Sequence, residues 1–132
     1  MRSLLILAIL ALAGCASAPT QQEKAVADYG SPPSDYEKSI RDYLQATLKD
    51  PYSYDMKILF EPRKDWTAFF SKKKFGYAVC ANINAKNSFG GYNGFKLVYF
   101  LIRDDKVVDS SGLAQGEDIL ATQQCNPDKR VP

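Results

Sequence analysis

The spacing of the apolar residues changes once along this chain, near residue 53, and that change constrains the fold more than any other feature. Before it, apolar side chains recur at helical spacing. After it, they occupy every second position in several runs separated by turn residues. A 3.6-residue period is typical of an amphipathic helix, and a period of two is typical of a half-buried strand. A helix followed by several such strands predicts a single α+β domain.

The helical stripe lies between a start signal and a stop signal. Ser34-Asp35-Tyr36-Glu37 has the form of a capping box, in which the serine hydroxyl accepts a bond from the third backbone N–H and the glutamate reaches back. Pro51 disfavours helical geometry at Asp50. We therefore expect one long N-terminal helix of about three to four turns, packed on one face of the sheet. Its apolar stripe comprises Tyr36, Ile40, Tyr43, Leu44, Thr47 and Leu48.

These alternating runs, together with a less regular run and a nearly continuous apolar one, predict an antiparallel sheet of about five strands. They cover residues 54–60, 66–70, 77–85, 95–103 and 106–108. The run 95–103 is the most apolar, so we expect it to be central. Asp104-Asp105 separates the last two runs and indicates a hairpin turn. A short C-terminal helix is predicted from about Glu117 to Gln124.

The first 15 residues have the pattern of an export signal. Met1 and Arg2 are followed by the apolar run 4–12 and by Ala13-Gly14-Cys15. A membrane-spanning helix needs roughly 20 apolar residues, so this run is too short for one, whereas a secretory signal peptide has this form. Residues 12–15 (LAGC) resemble the lipobox of bacterial lipoproteins at all four positions. An ordinary secretory signal that happens to contain a cysteine is the alternative.

The lipobox resemblance implies a lipid anchor. In that family the cysteine sulfur takes a diacylglycerol, the preceding peptide is removed, and the new amino end is acylated, often with palmitate. Cys15 is thus the expected lipidation site, residues 1–14 the signal peptide, 15–33 a flexible tether and 34–132 the domain. Two or more acyl chains hold a protein stably at a membrane. Ala16, where an aspartate would imply retention at the inner membrane, implies the periplasmic face of the outer membrane.

Composition excludes several kinds of chemistry. The chain has 17 basic and 15 acidic side chains, and Arg2 leaves with the signal, so the domain lacks the basic excess that a nucleic-acid partner requires. It contains no histidine, which excludes serine–histidine and cysteine–histidine catalysis and histidine-bound zinc. The acidic residues at 104–105 fit a turn, and those at 117–118 fit a helix start. We therefore predict no catalytic residues, no metal and no cofactor; a small carboxylate-dependent hydrolase is a third-ranked alternative.

Cys80 and Cys125 are the thiols that remain once Cys15 is lipidated. In an oxidising compartment an even pair in a small domain usually forms a disulfide. Closing the long loop between them would stabilise the domain by roughly 4 kcal/mol. Two free thiols, one of them reactive, are the alternative. Lys72-Lys73-Lys74 is interpreted as a solvated hairpin tip, with contact to anionic glycan or phospholipid headgroups as the less favoured interpretation.

The segment Asn84–Gly94 (NAKNSFGGYNG), called the glycine-rich loop below, is the candidate recognition site. Its glycines permit positive φ, so the backbone can fold tightly, and two aromatic residues lie among them. Either it is a structural hairpin loop whose rings fold back on the sheet edge, or it is a surface that recognises a protein or a glycan. Its candidate residues are Asn84, Lys86, Asn87, Ser88, Phe89, Gly90, Gly91, Tyr92 and Gly94.

Two resemblances bear on this loop. Residues 48–53 (LKDPxS), Cys80 and residues 84–94 (NxKNSFGGYxG) together resemble a family of small, uncharacterised bacterial envelope lipoproteins, over about Tyr43 to Tyr99. That resemblance implies a shared fold and supplies no activity. Ser88 to Tyr92 also resembles the Ser-Gly-x-x-Tyr motif of periplasmic lysozyme-inhibitor lipoproteins, with Phe89 in place of the glycine. The expected function is non-enzymatic binding of an envelope component, with an inhibitor or immunity-type lipoprotein that blocks an envelope-active enzyme as the alternative.

Overall fold

The computed structural model describes residues 17–114 and 116–130, so the predicted signal peptide and Cys15 lie outside the described residues. Within these ranges the helices are α1 (Gln21–Val26), α2 (Tyr36–Thr47) and α3 (Asp118–Cys125), followed by a 3-10 turn at Pro127–Arg130. The strands are β1 (Tyr54–Ile58), β2 (Arg63–Phe69), β3 (Lys72–Ala85), β4 (Lys96–Arg103) and β5 (Lys106–Ser111). The helix spanning Asp118–Cys125 is the predicted short C-terminal helix.

The five strands form one antiparallel sheet, which confirms the α+β class. β3 is the longest strand, with 14 residues. Its first half pairs with β2 and its second half with β1, both along one edge, while β4 pairs along the other edge. β4 lies between β3 and β5, so the most apolar run is central, as predicted. Asp104 and Asp105, both at positive φ, form the two-residue turn of the β4–β5 hairpin.

Alternation along β3 and β4 supplies a separate core on each face of the sheet. On one face, Ile40 and Leu44 of α2 pack against Val79, Val98 and Phe100, all fully buried. Burying one such side chain contributes about 1.5–3 kcal/mol. On the other face, the buried residues Ala78, Cys80, Tyr99 and Leu101 pack with Cys125 at the end of α3. The two helices therefore lie on opposite faces of the sheet.

The N-terminal helical part differs from the single long helix that the sequence predicted. α2 has 12 residues, and the separate six-residue α1 precedes it. The N-cap of α2 is Asp35, whose carboxylate accepts the Lys38 N–H at 2.8 Å. Ser34, the predicted cap, instead donates its N–H to Asp105 at 2.8 Å. The predicted capping box is therefore wrong, because a partner 71 positions away binds the serine.

The segment predicted to be a tether lies against the domain from Pro19 onward, where that proline is buried. Its helix α1 begins at a capping box formed by Thr20 and Glu23. Tyr29 packs edge-on against Phe75, with ring centroids 5.5 Å apart. The guanidinium of Arg103 donates to Asp28. These contacts come from isolated side chains rather than from an apolar period, so the spacing of residues 16–33 contains no sign of them.

Two strands also begin at residues other than those predicted. β2 begins at Arg63 rather than at Trp66, and β3 begins at Lys72 rather than at Tyr77. Lys72 and Phe69 face each other in the β2–β3 register, so the connecting turn contains only Phe70 and Ser71. Backbone pairing continues here without apolar alternation, because both strands extend beyond the core.

Candidate functional site

The glycine-rich loop connects β3 to β4 and closes on itself. Lys86 and Tyr92 form an isolated antiparallel bridge, and the N–H of Asn87 donates to the carbonyl of Gly91 at 2.7 Å. Residues 87–91 therefore form a short turn beyond this narrow neck. Lys86 directly follows the last residue of β3, so the bridge lies at the end of that strand.

Asn87 fixes the backbone of this turn. Its side-chain oxygen accepts the N–H groups of Phe89 at 2.9 Å and Gly91 at 3.1 Å, and its side-chain nitrogen donates to Asn93 at 2.9 Å. Its backbone carbonyl also accepts the Gly90 N–H at 3.1 Å. Asparagine commonly organises turns in this way, since its short amide reaches the backbone two residues on. The loop is thus ordered by internal hydrogen bonds.

The glycines of the loop have different roles. Gly90 and Gly94 have φ of +82° and +90°, a region that side chains strongly disfavour. Gly91 has no positive φ, and a Cβ there would meet only the Asn87 amide, at 3.7 Å. The predicted need for glycine to shape the backbone therefore applies at Gly90 and Gly94 but not at Gly91.

The two rings of the loop point away from the core. The Phe89 side chain is 97% exposed, and Tyr92 is 51% exposed. Because the Phe89 ring is exposed, its apolar surface contributes no burial free energy to the stability of the fold. In the structural alternative both rings would fold back on the sheet edge. Phe89 does not do so, and Tyr92 is only half-buried.

The turn between α2 and β1 contacts the loop at two points, through its own Lys49 and through Asp50, which pairs with Lys86 of the loop. Lys49 donates to the Ser88 hydroxyl at 3.0 Å. The ammonium of Lys86 lies 3.5 Å from the Asp50 carboxylate and 5.9 Å from the centre of the Tyr92 ring. Residues 48–53 and the glycine-rich loop therefore lie side by side in the fold.

The Asp50 carboxylate is held in its charged form by the groups around it. A hydrogen bond from the Ser53 hydroxyl is the largest cause that lowers the pKa of Asp50, and the Lys86 ammonium lowers it further. The carboxylate is therefore ionised near neutral pH and forms an ion pair with Lys86 at the neck of the loop. Lys49 and Asp50 belong to the LKDPxS segment, but no role was predicted for either of them, because their contacts with the loop join residues distant in sequence.

A cleft of about 150 Å³ lies at the base of the loop. It is smaller than the roughly 300–1,000 Å³ typical of small-molecule sites. Its walls combine apolar residues with two lysines, which suits a side chain or a sugar edge better than an enclosed ligand. The lining comprises Leu48, Ile83, Ala85, Lys86, Asn87, Asn93, Gly94, Lys96 and Leu113.

Asn84, the first candidate residue of the loop, lies within β3 rather than in the turn. It is opposite Asp55 in the β1–β3 register. Its side-chain oxygen is buried and has no hydrogen-bond partner in the structure. A buried carbonyl without a partner is costly, but this atom does not lie at the exposed part of the loop.

The remaining candidates for chemistry are dispersed. Cys80 and Cys125 form the predicted disulfide, with Cα atoms 6.0 Å apart. Asp104 and Asp105 accept hydrogen bonds from Ser31 and Ser34, so both act in packing the N-terminal segment. Among residues 17–114 and 116–130, His, Cys, Asp and Glu form no group of three that could hold a metal ion. In the same part of the chain, no helix combines the length and apolar character needed to cross a bilayer.

Comparison with known proteins finds no matching family model, no matching curated protein and no matching solved structure. The function of the chain has to be inferred from its own residues.

Proposed function

We propose that this chain is a non-enzymatic lipoprotein of the bacterial outer membrane, anchored through acylated Cys15 on the periplasmic face, that binds a protein or glycan of the envelope through the glycine-rich loop. The observation that carries the proposal is an ordered turn that presents the almost fully exposed ring of Phe89. A surface that is already ordered loses little entropy on binding. Aromatic side chains dominate the energy of many interfaces.

The groups around Phe89 indicate the chemistry of the partner. Lys49 lies beside the loop, Lys86 lies at its neck, and Tyr92 adds a half-exposed ring with a hydroxyl group. Lysines at the rim of an interface favour acidic groups and speed association. We therefore expect the partner to present carboxylates or other anionic groups around an apolar or sugar surface.

An inhibitor of an envelope-active enzyme such as a lysozyme is the second candidate. The narrow neck at Lys86 and Tyr92 and the exposure of Phe89 support it, because a protruding turn can enter an enzyme cleft. A carboxylate-dependent hydrolase has less support. The pKa values of Glu23, Asp28 and Asp50 are all lowered by hydrogen bonds or cations, whereas a general acid needs a raised pKa.

Photo-crosslinking in cells tests the binding proposal. A photoreactive phenylalanine analogue at position 89 should capture one envelope component, and Phe89→Ala should reduce co-purification of that component at least tenfold without loss of folded protein. Ile119, which is exposed on α3, is the control position for the analogue. Capture of the same material from both positions would contradict a specific loop surface. Purified protein that inhibits a lysozyme, and loses inhibition in Phe89→Ala, would favour the inhibitor.

Labelling with a palmitate analogue tests the anchor. The wild-type chain should take up the label, and Cys15→Ser should abolish acylation and leave a precursor of higher mass, because the thiol is the lipid acceptor. A mature wild-type protein without label would refute the anchor while leaving the loop proposal open to its own test.

A further inference from the structure

The β2–β3 hairpin ends in two exposed aromatic rings. Phe69 is 70% exposed and Phe70 is 78% exposed, and their ring centroids lie 4.6 Å apart in an edge-to-face arrangement. Together with Ser71 and Lys72 they form what is called here the aromatic tip. Nothing in the glycine-rich loop contacts it, since the two lie at opposite ends of β3.

The backbone at this tip is unfavourable for the residue that occupies it. Phe70 has φ of +54° in a two-residue hairpin turn, a position normally taken by glycine, asparagine or aspartate. Positive φ is a genuine outlier for a bulky side chain. Phe70 thus combines backbone strain with exposed apolar surface, and neither feature stabilises the folded domain on its own. Strain of this kind is concentrated at functional positions.

Basic side chains adjoin the rings. Lys72, Lys73 and Lys74 follow directly, and Lys73 binds Glu23 at 2.9 Å. Lys74 donates to the carbonyl of Val108 at 3.1 Å, a bond that leaves its positive charge intact. Exposed rings beside lysines are the composition of protein surfaces that lie in the boundary between lipid headgroups and acyl chains.

The chain enters the domain next to the same tip. Pro19 is buried, and α1, which follows it, reaches Lys73 through Glu23. Cys15 precedes Pro19 by four residues, a length that spans at most about 14 Å when fully extended. An acyl anchor at Cys15 would therefore hold the bilayer close to the aromatic tip.

We propose that the aromatic tip is a phospholipid-binding element: Phe69 and Phe70 enter the headgroup region of the membrane, and Lys72 and Lys74 bind anionic headgroups. The proposal rests on the lipid anchor of the proposed function, and it goes beyond it by defining which end of the domain faces the bilayer. β3 has 14 residues, and at about 3.3 Å per residue it places the glycine-rich loop roughly 40 Å from the tip.

Tryptophan quenching in vesicles tests the proposal. A two-chain lipid maleimide is coupled to Cys15 of the mature chain, the one thiol that the Cys80–Cys125 disulfide leaves free, so the test does not depend on acylation in cells. Phe70→Trp and Phe69→Trp report on the tip, and Phe89→Trp is the matched control at the other end of β3. The native chain, with its single tryptophan, supplies the background. The vesicles contain phosphatidylethanolamine and phosphatidylglycerol with brominated acyl chains.

We expect the added fluorescence of both tip variants to fall at least twofold and that of Phe89→Trp to stay unchanged. Adding Lys72→Glu to Phe70→Trp, or omitting phosphatidylglycerol, should reduce the quenching, while the unfolding midpoint of each variant stays within a few degrees of the native value. Equal fluorescence changes at positions 70 and 89, or none at 69 and 70, would overturn the proposal. So would a tip that responds to soluble anionic glycan and not to vesicles. Absence of palmitate on Cys15 in cells would refute the anchor separately.

Discussion

Loss of the Cys80–Cys125 disulfide should remove a large part of the stability of this domain. The bond spans 45 positions and joins the middle of β3 to the end of α3. In the chain-entropy model, opening a loop of this length costs about 4 kcal/mol. Domains of this kind are typically stable by about 5–15 kcal/mol. Since each kcal/mol shifts the midpoint by about 4–8 °C, a decrease of roughly 15–30 °C is expected.

After the disulfide is broken, local unfolding should begin at α3. Ala121 is the residue that this helix buries, whereas Ile119 and Leu120 face solvent. Little apolar surface therefore holds α3 to the sheet once the disulfide is broken. Hydrogen exchange after reduction should be fast along α3 and remain slow along β4, which is buried on both faces.

Thermal unfolding of a Cys80→Ala, Cys125→Ala double variant measures the effect, with the native chain in the presence and absence of reductant as controls. The alanines leave no buried thiol without a partner. A double variant that melts within about 5 °C of the oxidised native chain would refute the reasoning, given the scale of about 4–8 °C per kcal/mol. Alkylation of both cysteines in the native domain without reductant would refute the bond itself.

Gly112→Ala should destabilise the domain by about 2–3 kcal/mol more than Gly116→Ala, measured by denaturant unfolding. Both glycines have positive φ, but only a Cβ at Gly112 would clash, since it would lie 2.2 Å from a β4 carbonyl oxygen. Equal losses of stability in the two variants would contradict this. Asn87→Ala should accelerate amide exchange in the loop and cost about 1 kcal/mol for each lost bond, whereas Phe89→Ala should change stability by at most about 0.5 kcal/mol. The pKa of Asp28 is lowered, first by the N–H two residues on and then by an arginine. Docking of the N-terminal segment should therefore persist above the ordinary aspartate pKa of 3.8 and weaken as the pH falls below it, measured as faster exchange of that segment.

The strands, the central position of β4 and the β4–β5 hairpin were accessible from the sequence because apolar side chains alternate along the strands and cover both faces of the sheet. Val79 and Phe100 face α2, and their neighbours Cys80 and Tyr99 face the other way. The helix start was not accessible. Ser34 and Asp35 are both good N-cap residues, and the choice between them depends on Asp105, which is distant in sequence and close in space.

The candidate site was predictable as a segment but not as a surface. Clustered glycines with two aromatic residues indicate a shaped loop, and Gly90 shapes it in the expected way. The hydrogen bonds by which Asn87 fixes the turn were not predicted. Whether Phe89 turns inward or outward depends on the space at the sheet edge, which local sequence does not encode. The contact of Lys49 with Ser88 likewise depends on the α2–β1 turn lying beside the loop.

Docking of the N-terminal segment changes what a lipid anchor can do to this domain. A free tether of 18 or so residues would let the domain take any orientation over the bilayer, since a flexible chain of that length has an end-to-end distance of about 20–25 Å. The segment from Pro19 to Ser34 contacts the domain, including Tyr29 on Phe75 and Asp28 with Arg103, and Pro19 is only four positions from Cys15. With the proposed anchor at Cys15, so short a connection would hold the end of β3 that bears Lys73 toward the membrane, and the strand would carry the glycine-rich loop away from it. Releasing the segment with Asp28→Asn and Tyr29→Ala together should therefore reduce capture of a partner through the loop even though no loop residue is changed.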